Sequence, residues 1–144
     1  MQDQVFSVSA QCGGSNECLY ERKDLFFDVG IKNIHATDIG FPLAFVQKAG
    51  PSIKLIDNRS GKNTHVGTAL ADWALKTQFV TIPPGQSVGF PYLITADELE
   101  ELGGEDVDLT AEVTLFAGVK IGDEVADRMA VTTMHIKSPP KPRP

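Results

Sequence analysis

The sequence predicts an all-β protein, an antiparallel two-sheet sandwich of about eight strands with one or two short helical insertions. Three observations predict it. Apolar and polar residues alternate over several short stretches, turn residues punctuate those stretches, and no series of long helical segments is there to carry parallel crossovers. At 144 residues the chain can bury one core, and 42% hydrophobic against 22% charged content is that of a globular protein. One domain is expected over residues 1–136, followed by a proline-rich tail over 137–144.

The elements follow in order. Residues 5–10 read as the first strand, and Phe27, Val29 and Ile31 alternate with Asp28, Gly30 and Lys32 to make the second. Residues 41–46, 53–57 and 78–82 are further strand candidates. Val88, Phe90 and Tyr92 alternate with smaller residues. The clearest pattern sets Val107, Leu109, Ala111, Val113 and Leu115 against Asp108, Thr110, Glu112 and Thr114, a half-buried strand, and residues 128–136 supply the last one. Asp57-Asn58-Arg59-Ser60-Gly61, Pro83-Pro84-Gly85 and Gly122-Asp123 are turn chemistry. Helix is expected at residues 68–75 and 95–102; Thr95-Ala96-Asp97-Glu98 has the form of a capping box and Gly103 of a stop. The prolines of the tail lack the N–H that a ladder needs and favour polyproline II.

Charge narrows the partners. A formal net charge of −6 removes the general attraction to phosphate backbones and anionic lipid, so neither nucleic acid nor a membrane surface is expected as a partner. No apolar run approaches the roughly 18 residues of a spanning helix, and Met1-Gln2-Asp3-Gln4 lacks the basic and apolar regions of a signal peptide. Either the chain stays where it is made or a leader has been removed. Cys12 and Cys18 enclose Gly13-Gly14-Ser15-Asn16-Glu17, a flexible stretch that lets two sulfurs meet. A local disulfide is the first reading; reduced thiols and half a metal site are the alternatives, the latter lacking C-x-x-C spacing and a second ligand pair. The disulfide implies a periplasmic or secreted protein.

The segment Phe79-Val80-Thr81-Ile82-Pro83-Pro84-Gly85-Gln86-Ser87-Val88 resembles the strand–turn–strand PGQSV element of extracellular immunoglobulin-like modules. Val29-Gly30-Ile31-Lys32-Asn33 and Ile56-Asp57-Asn58-Arg59-Ser60-Gly61 resemble the earlier strand and polar segment of those modules. Similar layouts occur in BsuPI-type proteinase inhibitors and beside some secreted metallopeptidases. The resemblance covers about residues 25–116 and implies an immunoglobulin-like sandwich rather than an activity.

For catalysis there is no G-x-S-x-G, no H-E-x-x-H, no phosphate loop and no cysteine outside the expected disulfide, so no enzyme is expected. His35, His65 and His135 lack the close spacing of a ligand pair and read as ordinary histidines; no metal or other cofactor is expected. Met129, Met134 and His135 suggest soft-metal ligands, but on a strand 129 and 135 share one face and 134 the other, and core methionines are the preferred reading. Asp97, Glu98, Glu100, Glu101, Glu105, Asp106 and Asp108 carry −7 with no basic residue among them, leaving the rest of the chain near neutral at +1. A solvated helix face is the plain explanation; a patch that steers a cationic protein, centred on Glu100, Glu101, Glu105 and Asp106, is the functional one, and Ca²⁺ binding is a third. Trp73, in the longest connection, is either a binding anchor or a plug that closes one end of the sandwich, with Leu70 and Ala74 on its helical face; the plug is preferred. The functional expectation is a non-catalytic protein-binding module, an inhibitor or immunity protein in its sharpest form. A structural piece of an envelope assembly comes second and a copper-handling protein third.

Overall fold

The computed structural model describes residues 5–66 and 71–139. Among these, the strands are β1 (Phe6–Gln11), β2 (Glu17–Leu19), β3 (Leu25–Asn33), β4 (Ile39–Phe41), β5 (Ser52–Asp57), β6 (Asn63–His65), β7 (Val80–Ile82), β8 (Ser87–Ile94), β9 (Asp108–Ile121) and β10 (Glu124–Lys137). Two α-helices, α1 (Leu43–Ala49) and α2 (Ala96–Gly103), and a 3-10 turn at Trp73–Thr77 complete the order. The strands form a three-stranded sheet, β1-β3-β8, and a seven-stranded one, β2-β10-β9-β4-β7, with β5 pairing β9 and β6 pairing β5. The result is an all-β two-sheet sandwich with short helical insertions.

Alternation sets which face is buried. On β3, Leu25, Phe27, Val29, Ile31 and Asn33 point inward, and register sets the first four opposite Ile94, Tyr92, Phe90 and Val88 of β8. On β9, Leu109, Ala111, Val113, Leu115, Ala117 and Val119 face them from the other sheet. Phe6 of one sheet meets Phe41 of the other edge-on, centroids 5.4 Å apart, which joins the two inner faces directly.

The first strand of the sandwich is split between the sheets. β1 pairs antiparallel with β3, and after a short loop β2 pairs parallel with β10, Glu17 opposite His135 and Leu19 opposite Lys137. A Cys12–Cys18 disulfide closes the loop, as the spacing suggested. This parallel pair departs from the purely antiparallel expectation because the chain changes sheets without reversing direction.

Asn33 is a buried polar residue at the end of β3. Its side-chain amide donates to the carbonyls of Thr37 and Ile82, and its carbonyl oxygen accepts from the N–H of His35. Its backbone bonds with Gln86 and Gly85, so the Pro83–Gln86 turn hangs on this one residue. That turn is an arch rather than a hairpin, since β7 lies in one sheet and β8 in the other.

Three local expectations are corrected. Residues 41–46 are not a strand: pairing ends at Phe41, and Leu43–Ala49 is helical. Pro42 at the helix entrance, the helix formers Leu, Ala, Gln and Lys, and Gly50 at φ 84 outweigh the apolar run. Two short strands, β2 and β6, raise the number to ten, because three-residue strands leave no readable alternation. Of the helix expected at 68–75, residues 68–70 lie outside the described residues and the remainder is a 3-10 turn beginning at Trp73. The second helix is as read, with the Thr95–Glu98 capping box formed, although it stops at Gly104 rather than Gly103. Of the tail, Lys137 belongs to β10 and Ser138 bonds to Val107, while residues 140–144 lie outside the described residues.

Candidate functional site

The seven acidic residues of the α2–β9 segment are largely engaged within the fold. Glu98 closes the capping box. Glu100 accepts from the Tyr20 hydroxyl and pairs with Arg22 at 3.4 Å; Arg22 also reaches Glu105 at 3.6 Å. Arg59 pairs with Asp106 at 3.5 Å and donates to its backbone carbonyl. Asp108 accepts from Asn58 and lies 2.6 Å from His135 Nε2; the Asn58 bond first and His135 second hold its carboxyl below the usual range. Arg22 and Arg59 are distant in sequence, which is why the segment reads as uncompensated. Burial first, and the Glu100 carboxylate second, push the Tyr20 phenol up to about 12. These ion pairs are exposed and contribute little to stability. Their effect is on the surface field: a cationic partner would have to compete with two resident guanidinium groups. Asp97 and Glu101 have no cationic neighbour among the described residues, and Glu101 lines a groove with Glu98, Leu102, Thr64 and His65.

Trp73 is not a plug. It is 76% exposed, and the Lys76 ammonium sits 3.6 Å from its ring centroid and 5.1 Å from that of Phe45. Lys76 of the same 3-10 turn thus stands between Trp73 and Phe45 of α1. The acidic side chains contact Tyr20, Arg22, Arg59 and His135, so the two expected site elements form separate groups.

The methionines divide. Met134 is buried 3.9 Å from the Cys18 sulfur, a core residue as expected. Met129 is 57% exposed, which corrects the core reading for that position. His135 Nδ1 lies 3.9 Å from Glu17 and its Nε2 faces Asp108, tying β2, β9 and β10 together at one end.

The residues that sequence reasoning missed lie on the outer face of the seven-stranded sheet. Phe116 of β9 is 63% exposed and stands directly opposite Met129 of β10. Val131 and Val125, both exposed, continue that row on β10, opposite Thr114 and Lys120. Beside it a groove of about 360 Å³ runs between the sheet and the α1 region, lined by Pro42, Phe45, Phe79, Phe116 and Val125, with Lys76 and Asp127 among its polar walls. A signal was present. The outward positions of β9 run Asp108, Thr110, Glu112, Thr114 and then Phe116, so the polar phase becomes apolar where the second face also needs covering.

In fold the chain resembles the X-ray structure of Northeast Structural Genomics Consortium target SoR45, with TM-score 0.52 and 13% identity over 96% of this chain and 91% of that one. The fold is shared; the sequence is not. A crystal structure of a protein from Archaeoglobus fulgidus aligns with TM-score 0.41 and 12% identity, over 94% of this chain and 98% of that one. Neither a protein-family model nor a curated protein matches the sequence. Among the described residues no helix is long and apolar enough to cross a membrane, and no group of three or more His, Cys, Asp or Glu gathers as metal ligands.

Proposed function

We propose that the chain is a non-catalytic protein-binding module of the secreted or envelope space, with an inhibitor or immunity protein as its sharpest form. One observation carries the reading: the outer face of β9 and β10 exposes the cross-strand pair Phe116 and Met129 together with Val125 and Val131, next to an apolar groove. Aromatic and methionine side chains clustered on one sheet face are the composition of an interface centre. The disulfide supports the compartment. The net charge of −6 favours a cationic partner, although the compensation of Glu100, Glu105 and Asp106 moves the weight of recognition from the acidic segment to the apolar face. Placement of Met134 in the core weakens the copper-handling alternative.

Affinity capture from an envelope extract of the source organism, repeated with the purified partner, tests the reading. The wild-type chain retains one stoichiometric partner, and the Phe116→Ser, Met129→Ser double variant, folded and equally stable, retains it at least ten-fold more weakly. Equal retention by both would move the interface elsewhere. Replacing Glu100, Glu101, Glu105 and Asp106 by their amides separates the electrostatic part: association slows at low salt and recovers at high salt if the acidic segment steers the encounter.

A further inference from the structure

The exposed row of β10 has a counterpart in its backbone. β9 covers one edge of β10 along its whole length, whereas β2 covers the other only at His135, Ile136 and Lys137. There the His135 N–H donates to the Asn16 carbonyl at 2.8 Å, and the Lys137 carbonyl accepts from the Tyr20 N–H at 2.9 Å. Alternate residues of a strand turn their N–H and C=O to the same edge. The unbroken register with β9 carries that alternation back along β10, so Val125, Asp127, Met129, Val131 and Thr133 direct their backbone groups to this edge. No strand pairs there among the described residues. β1 passes nearby in the other sheet, leaving an open cleft of about 410 Å³ where Ser9, Gln11 and Asn16 face Thr132 and Thr133.

Such an edge is a template for another strand unless it is blunted. No proline or lysine falls between Glu124 and Ile136, and no bulge interrupts the pairing with β9. The five residues that offer backbone groups also present the outer side chains, so one added strand would meet both. We propose that this edge accepts an extended segment of a partner polypeptide as an additional strand, with apolar residues beside Val125, Met129 and Val131 and a lysine or arginine beside Asp127. The proposal deepens the protein-binding reading above and rests on it.

Charge selects this occupant over a second copy. Asp123, Glu124 and Asp127 are exposed and have no ion-pair partner among the described residues. In a two-fold antiparallel pairing of β10 with itself, same-face residues oppose one another. The open part of the row holds Val125, Asp127, Met129, Val131 and Thr133 and no cation, so every register would leave Asp127 beside an apolar, polar or acidic residue. A partner strand with a basic residue has no such penalty.

The test is selection of a display library of random twelve-residue peptides on the full chain, followed by titration of the recovered peptides. The expected peptides alternate apolar residues and carry one lysine or arginine. Met129→Pro removes one N–H from the open edge and none from the β9 ladder, so it should keep the fold and weaken these peptides at least ten-fold. Asp127→Lys should instead recover peptides with an acidic residue in place of the basic one, which decides the question even if the proline variant fails to fold. Amide exchange at Val125, Asp127, Met129, Val131 and Thr133 should be fast in the free chain and slow in the complex. Absence of enrichment, or equal binding to Met129→Pro, would overturn the edge proposal; if Phe116→Ser still weakens capture of the natural partner, the protein-binding reading survives. Slow exchange of these five amides in the free chain would also overturn it, pointing to a second copy if sedimentation gives a dimer and to this chain's own residues if it gives a monomer.

Discussion

Cys12 and Cys18 stand on either side of a change of sheet: Cys12 directly follows β1 in the three-stranded sheet, and Cys18 lies inside β2 of the seven-stranded one. The bond fixes the crossover, with the 0% exposed Cys18 anchored against Met134. For a ring this small the chain-entropy model gives about 2.4 kcal/mol. A Cys12→Ala, Cys18→Ala variant should therefore lose about that much stability, and the loss should be local first. The Tyr20 and His135 amides, which bond across β2 and β10, should exchange faster while those of the β9–β10 ladder hold. Mass spectrometry of the native chain should show it two hydrogen atoms lighter than its reduced form, as loss of one hydrogen from each thiol requires.

Tyr20 sets an alkaline limit to stability. Its folded value of about 12 lies above the ordinary 10.0. A raised value means that the contribution is fully present below the unfolded value and is lost as pH rises from about 10 through about 12. The melting temperature of the wild type should fall across that window. Tyr20→Phe should start about 2 kcal/mol lower, for a lost bond to a carboxylate, and show a shallower alkaline decline. Parallel decline of both proteins would show that other groups govern the limit.

Asn33 satisfies three backbone groups with one buried amide. Truncation to alanine strands the Ile82 and Thr37 carbonyls and the His35 N–H. At least one of them stays dry, and the expected cost is about 3 kcal/mol. Equilibrium urea unfolding measures it. Asn33→Asp should recover only the bond from His35, because a carboxylate cannot donate to the two carbonyls.

Gly85, in the PGQSV segment, and Gly89, just after it, should respond differently to substitution although only four positions separate them. Gly85 has φ 76 with no atom within 4 Å of a Cβ, so its constraint is conformational; Gly89 would place a Cβ 2.7 Å from the Val29 carbonyl oxygen, so its constraint is space. Gly85→Ala should cost about 1 kcal/mol, and asparagine, which tolerates the left-handed region, should cost less. At Gly89 both alanine and asparagine should cost about 1–3 kcal/mol, because a neighbouring strand must move. Denaturant midpoints for the four variants distinguish the two causes.

The sandwich was legible because long half-buried strands impose a period of two, and β3, β8 and β9 show it over most of their length. Features decided by a few residues or by distant ones were not. β2 and β6 are too short to show a period, and the helix after Pro42 has too few residues to show the helical one. The candidate surface shows the same division. The acidic segment drew notice because its charges are adjacent, yet Arg22 and Arg59 reach it only through the fold. Phe116 was passed over and Met129 was read as core because an apolar residue on a strand is taken for core until its cross-strand neighbour is known.

The pairing of β10 also sets an order of events in time. Among the described residues, the long strand that joins β9 to β2 comes after every other strand, and its contact with β2 spans more than a hundred residues. The Cys12–Cys18 ring, by contrast, needs only six residues of separation and can close before any sheet exists. Non-local pairing is the slow part of β folding. The β2–β10 closure thus waits until residue 137 is available, and machinery that handles incompletely folded chain has that interval in which to act on the seven-stranded sheet.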